Sequence, residues 1–254
     1  MSNRVFLVDG LRTPILKARS GRGPFSAADL AVQAGRPLLA RSKIAVEDFD
    51  EVILGCVMPS EREANIGRVA ALRLGFNQAT PAWTVQRNCA SGMQSIDCAI
   101  NRIQLGQSQV VLAGGVEAMS HAPVLFGEKY VNWLGQMVAA RNIWQKLGVF
   151  TKFKLPFLAP VFALEHGLTD PVVKLNMGQT AEKIADRFGV SRGQMDAYAV
   201  RSHLRAAAAA EAGVFANQIT AIFDHKGRVY ERDDGVRSDS NVEKLSTLKP
   251  VFDS

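Results

Sequence analysis

A cysteine among small residues, where a strand gives way to a helix, is the feature of this sequence best able to do chemistry. Cys89 stands in Asn88-Cys89-Ala90-Ser91-Gly92, after the apolar run Ala82–Val85 and before a helical pattern carrying Met93, Ile96, Ile100 and Ile103. At such a junction the free backbone N–H groups and the positive end of the helix dipole favour a negative sulfur. Thiolate is the nucleophilic form of cysteine. Ala90, Ser91 and Gly92 leave room for a bulky thioester to approach. On position alone a second reading stands beside this one, because a free cysteine is commonly a small buried hydrophobe. Cys98, farther along the same helix, and Cys56, at the end of a strand, read as packing residues.

Other chemistries find less support. Three cysteines, none in a CxxC pair, argue against a disulfide framework and fit a reducing compartment. The histidines, His121, His166, His203 and His225, fall at no ligand spacing, so no metal is expected. A net charge of +6 without a block of lysine or arginine suits an anionic ligand, and equally an ordinary solvated surface. Nucleic-acid binding would want a clustered basic face or a known module, and neither is present. With 47% apolar and 21% charged residues the composition is that of a globular chain. No apolar run reaches the ~18 residues of a membrane helix. The expectation is a soluble, cytoplasmic protein with no nucleic-acid or membrane partner.

The elements that must position Cys89 alternate strand and helix. Residues 5–8 read as a strand closed by Gly10 and Pro14. Ser26, with Asp29 three residues on, reads as a helix cap ahead of Ala27, Leu30, Ala31, Ala34 and Leu38. A strand at 52–54, a helix from about 65 to 74 stopped by Gly75, the strand at Ala82–Val85 and the helix ending near Gly106 follow. A strand at 110–113 then runs into Gly114-Gly115. This order predicts an α/β fold with a covered, mostly parallel sheet. From 123 to 171 the pattern turns irregular, with a helical patch at 133–146. Helices follow from about Thr180, with Gly189 as its stop, and from Ser191, with Gln194 in the capping-box position, to Gly213. Segments 219–223 and 228–230 predict a hairpin around Gly227.

Taken together, several segments resemble one family. Asn88-Cys89-Ala90-Ser91-Gly92-Met93-Gln94 is similar to the thiolase segment around the acyl-accepting cysteine. Gly114-Gly115-Val116-Glu117-Ala118-Met119-Ser120-His121-Ala122-Pro123 resembles the thiolase strand-end motif. Asp9-Gly10-Leu11-Arg12-Thr13-Pro14 resembles the family's first strand and turn. Met177-Gly178-Gln179-Thr180-Ala181-Glu182, Ser191-Arg192 and Asp196-Tyr198-Ala199-Ser202-His203 resemble its loop-domain helices. Leu245 with Leu248-Lys249-Pro250-Val251-Phe252 resembles the approach to the next strand. The matches run in order along nearly the whole chain.

The resemblance implies a thiolase-like N-terminal α/β half at residues 1–121 that carries the nucleophile. It implies an inserted, substrate-covering loop domain at 122–246, and the start of a return into the α/β half at 247–254. It makes Cys89 the residue that takes an acyl group from a 3-oxoacyl-CoA or acetyl-CoA, its own N–H contributing to an oxyanion site. Coenzyme A would be the co-substrate, with no cofactor bound permanently. Met177 matches a position that lines the acyl and pantetheine tunnel, although a core methionine at a helix start reads as well. Asn176 stands where some thiolases carry histidine, so no catalytic role is assigned there. His121 and His203 read as structural, Asn88 and Ser91 as turn residues. By the same analogy the protein is a homo-oligomer, dimer or tetramer.

This sequence contains neither the Gly-His-Pro nor the Cys-x-Gly-Gly segment through which thiolases activate the nucleophile and exchange the second substrate's proton. The expectation is therefore a chain lacking the C-terminal half, with an exposed sheet edge and incomplete activity alone. A non-catalytic acyl-CoA or lipid-binding module is the alternative, and a ketoacyl synthase fits the motifs less well.

Overall fold

The computed structural model describes residues 4–19 and 21–252. They form two compact units, one built from the chain up to residue 121 together with 181 onward, the other from 122–180.

In the first unit, α1 (Ala27–Ser42) starts at a capping box in which Ser26 and Asp29 satisfy each other's backbone N–H groups. The strands β1 (Glu51–Gly55), β2 (Ala82–Val85) and β3 (Val111–Gly115) form a parallel sheet in the order β2-β1-β3. Two helices make its crossovers, α2 (Ile66–Leu74), capped by Asn65 and ended by a left-handed Gly75, and α3 (Ser91–Gln104). Central β1 is buried along its whole length. Val52 and Leu54 pack with Leu39, Ile66, Ala70 and Phe76. The alternate residues meet α3: Glu51 accepts from Arg102 Nε at 2.9 Å, and Gly55 lies against the backbone of Ser91. Val52 and Ile53 have no exposed surface, and such burial stabilises by roughly 1.5–3 kcal/mol per side chain.

Residues 5–8 do not form the expected strand. Their apolar pattern is right for one, but a strand exists through its hydrogen-bonded neighbour. β3 pairs with β1 on one side, and among the described residues its other edge carries none. Phe6, Leu7 and Val8 are left largely exposed.

The second unit closes β4 (Val124–Phe126) antiparallel on β5 (Pro160–Phe162). Between them lie α4 (Glu128–Ala139) and α5 (Ile143–Phe150), the latter capped by Asn142. The single patch expected at 133–146 is thus two helices, separated where Asn142 accepts from Gln145 N–H. A chain of aromatic rings, Phe126, Tyr130, Trp133, Phe153 and Phe157, links these elements, all but the exposed Phe126 being partly buried, and Trp133 Nε1 donates to the Val149 carbonyl at 2.9 Å. The short α6 (Ala163–Gly167) follows β5.

From α7 (Met177–Arg187) the chain passes back into the first unit. Next comes α8 (Arg192–Glu211), which opens on the expected Ser191–Gln194 capping box. A short hairpin, β6 (Ile222–Phe223) with β7 (Val229–Tyr230), precedes α9 (Val242–Ser246). Of the residues expected in one loop domain at 122–246, those from 181 onward group with the first 121 and those at 122–180 form the second unit. Asp233 holds Arg12 through two bonds of 2.8 and 2.9 Å, the Gln33 amide pairs with the Phe223 backbone, and Phe25 meets Tyr230 edge to face.

Asp224 organises that hairpin. Its carboxylate accepts from the N–H groups of Lys226 and Arg228, from Arg228 Nε and from the Tyr230 hydroxyl. Burial alone would push the carboxyl up, but these donors and the Arg228 charge together hold it down to about 2. A depressed carboxyl contributes stability that is present above its unfolded range, near pH 4, and is lost as pH falls toward 2. Asp224→Asn is expected to lower the melting temperature at neutral pH and to flatten the decline below pH 4. Thermal melts across that window check it, and an unchanged acid limb would show that Asp224 contributes nothing.

Candidate active site at the strand–helix junction

The turn from β2 into α3 is fixed by one buried hydroxyl. Ser91 Oγ accepts from Arg87 N–H at 2.8 Å and donates to the Asn88 carbonyl at 2.7 Å, while Ser91 N–H donates to the same carbonyl. Asn88 takes a left-handed conformation, φ +45°, which asparagine tolerates better than most residues. Between these anchors Cys89 is exposed. The residue preceding α3, Ala90, supplies no side-chain cap. Among the described residues the backbone N–H groups of Cys89, Gly92 and Met93 find no acceptor. Three free donors thus lie in the turn and at the start of a helix of 14 residues, next in sequence to an accessible cysteine, and a helix start with unpaired N–H groups is able to meet a developing oxyanion.

Three glycines seat this helix end against the sheet. A Cβ on Gly55 would lie 2.2 Å from the Ser91 carbonyl oxygen, and one on Gly115 would lie 2.7 Å from Gly92 Cα. Ser95, fully buried, holds the next turn with its hydroxyl 2.7 Å from the carbonyls of both Gly92 and Gly114. Sequence reasoning missed the meeting of Gly55, Gly92 and Gly115. Its signal was a glycine at the end of each of two strands and one in the helix's first turn.

The strand-end motif after β3 is structural. Glu117 accepts from the N–H groups of Val57 and Met58 at 2.8 and 3.3 Å, fastening the loop after β1. Ser120 and His121 both hold the Gly23 backbone. His203 accepts from Arg237 N–H. Arg192 joins Asp196 and also donates to the carbonyls of Leu245 and Leu248, so the α8 and tail motifs form one anchor.

Cys56 and Cys89 are opposites. Cys56 is buried, and burial followed by the Glu117 carboxylate, 3.7 Å from its sulfur, pushes its thiol up to about 12. Cys98 is half-buried and accepts from the Gln94 amide. Iodoacetamide is expected to label Cys89 first in the folded chain and to reach Cys56 only after unfolding, read by peptide mass spectrometry. Equal rates at both would mean that the junction is closed to reagents.

Met177 belongs to the other unit, where it begins α7 about half-exposed, its N–H donating to the Leu168 carbonyl. Asn176 and Gln179 exchange side-chain bonds with each other's backbone N–H, so Asn176 is the helix cap. Among the described residues no group of three or more potential metal ligands occurs.

Residues 5–254 match the family described as thiolase, N-terminal domain. The mitochondrial trifunctional enzyme subunit beta of Macaca fascicularis is 35% identical over 98% of this chain and 51% of its own length. A beta-ketothiolase of Cupriavidus necator is 35% identical over 99% of this chain and 60% of its own. Among solved structures, human mitochondrial 3-ketoacyl-CoA thiolase in complex with CoA shares the fold at TM-score 0.81 and 33% identity, covering 98% of this chain and 58% of that one. The chain therefore spans between half and three-fifths of the length of these curated relatives. With a family match across nearly all of its sequence and a fold shared with solved thiolases, the chain belongs to the thiolase family.

Proposed function

We propose that this chain carries the acyl-accepting step of a thiolase-type transfer between an acyl-CoA and coenzyme A. The observation that carries the reading is an exposed cysteine at a strand–helix junction where the N–H groups of Cys89, Gly92 and Met93 have no acceptor. In this step the thiolate attacks the thioester carbonyl, and the negative oxygen is met by those donors. The carbon–sulfur bond to coenzyme A then breaks, and coenzyme A departs as a thiolate that takes up the proton Cys89 has lost. A second coenzyme A reverses the sequence. Cleaving or forming a carbon–carbon bond also needs a base for the sulfur and an acid for the carbon leaving group. The family supplies these from Gly-His-Pro and Cys-x-Gly-Gly segments that this sequence lacks. Coenzyme A is thus co-substrate, and no permanently bound cofactor is invoked. Met177 carries a substrate contact by its family position, and the same analogy gives a homo-oligomer.

Incubation with acetyl-CoA or acetoacetyl-CoA, followed by intact and peptide mass spectrometry, tests the step. One acyl group on Cys89 with release of coenzyme A is the expected result. Binding of acyl-CoA without acylation would replace the transferase reading by that of a binding module.

A further inference from the structure

The second unit leaves apolar stripes exposed on both of its longer helices. On α5, Ile143, Leu147 and Phe150 recur at helical spacing with Trp144 beside them, and all are exposed, Trp144 at 78%. On α4 the stripe Val131, Leu134 and Val138 is likewise exposed, Val138 at 79%, while the partly buried Tyr130 and Trp133 pack against each other. Leu155, just after α5, is 77% exposed. Single exposed apolar residues need no explanation, but two adjacent helices each carrying such a stripe do.

Charge decides what covers this face. Between residues 124 and 162 the basic side chains are Lys129, Arg141, Lys146, Lys152 and Lys154, and the one acidic side chain is Glu128. All five basic residues are exposed, and among the described residues none of them joins an ion pair. By helical spacing Lys146 borders the stripe of Ile143, Leu147 and Phe150. From there its long stem can follow the apolar surface while the ammonium stays in water. Two copies of this face would bring like charges together, whereas an anionic lipid surface complements it. We propose that the α4–α5 hairpin is an interfacial membrane-binding element, its tryptophan, phenylalanine and aliphatic residues entering the headgroup boundary of an anionic bilayer and its lysines meeting the lipid phosphates. The expectation of no membrane partner rested on the lack of a spanning segment. Among the described residues no helix is long and apolar enough to cross a membrane. Lying on a bilayer needs only a short apolar face rimmed by basic groups.

Flotation of the full chain with vesicles tests this, using phosphatidylcholine alone against phosphatidylcholine with phosphatidylserine. Binding is expected to the anionic vesicles, and to fall steeply between low and physiological salt. Replacing Lys146, Lys152 and Lys154 by glutamine should weaken it roughly a hundredfold. Trp144→Glu with Leu147→Glu should abolish it while circular dichroism stays unchanged, both side chains being exposed. Absence of binding to anionic vesicles would overturn the proposal. So would binding that the W144E/L147E variant retains, or light scattering showing that this variant merely turns an oligomer that binds no vesicles into a monomer. In that last case the face joins copies of the chain.

Discussion

Cys89→Ala is expected to remove acylation by acetyl-CoA entirely, lowering the initial rate of coenzyme A release by at least about three orders of magnitude. No other sulfur can stand in. Cys56 is enclosed beside Glu117, and its thiol is pushed up to about 12. Cys98 is half-buried under the Gln94 amide, two turns into α3 and away from the free donors at its start. The alanine should not disturb the turn, because the bonds that shape it run through Ser91, Arg87 and Asn88. Loss of acylation with an unchanged melting temperature would therefore assign the chemistry to the sulfur. An acyl group that persists and maps to Cys98 would overturn the assignment. Cys89→Ser separates nucleophilicity from shape: the hydroxyl fits the same space but is the weaker nucleophile at neutral pH, so only traces of ester are expected.

What the sequence made legible was what local physics decides. The sheet strands announce themselves as short apolar runs, and the observed β1, β2 and β3 overlap residues 52–54, 82–85 and 110–113. Ser26–Asp29 and Ser191–Gln194 are capping boxes in the structure as in the sequence, and Gly75, Gly189 and Gly213 all take positive φ. The cysteine's place between β2 and α3 followed from the same local signals. What failed was whatever depends on distant partners. Residues 5–8 have the composition of a strand, but only pairing makes one. β4 and β5 are three residues each and pair across the whole of α4 and α5, a register that no local pattern encodes. The packing of the hairpin within the first unit rests on Gln33 finding the Phe223 backbone, 190 positions away, and that of the segment after it on Arg12 finding Asp233, 221 positions away. At the site, exposure and free N–H groups came from the turn's tertiary seat, which composition alone does not show. The family resemblance supplied the role of Cys89 that position left open.

That seat gives the second large effect. Gly55→Ala would put a methyl group 2.2 Å from the Ser91 carbonyl oxygen and 2.7 Å from the Gly92 nitrogen, both backbone atoms of the nucleophile's helix. No rotamer relieves a Cβ, so either β1 or the start of α3 must move. β1 is the less able to yield, being buried throughout and paired on both sides, so the displacement falls on α3 and carries Cys89 with it. Overpacking of this kind costs about 1–3 kcal/mol, and a shift near 1 Å in a catalytic group can cost about a hundredfold in rate. Gly55→Ala is accordingly expected to lower the melting temperature and, in the fraction still folded, to slow acylation of Cys89 about a hundredfold. Gly135→Ala is the comparison, since a Cβ there meets nothing within 4 Å and α4 should gain up to about 1 kcal/mol from the replacement. If Gly55→Ala acylates at the parent rate while folded, the close approach of strand and helix is not what sets the sulfur's position. The rate would then be controlled within the turn itself, where the Ser91 hydroxyl holds Arg87 and Asn88.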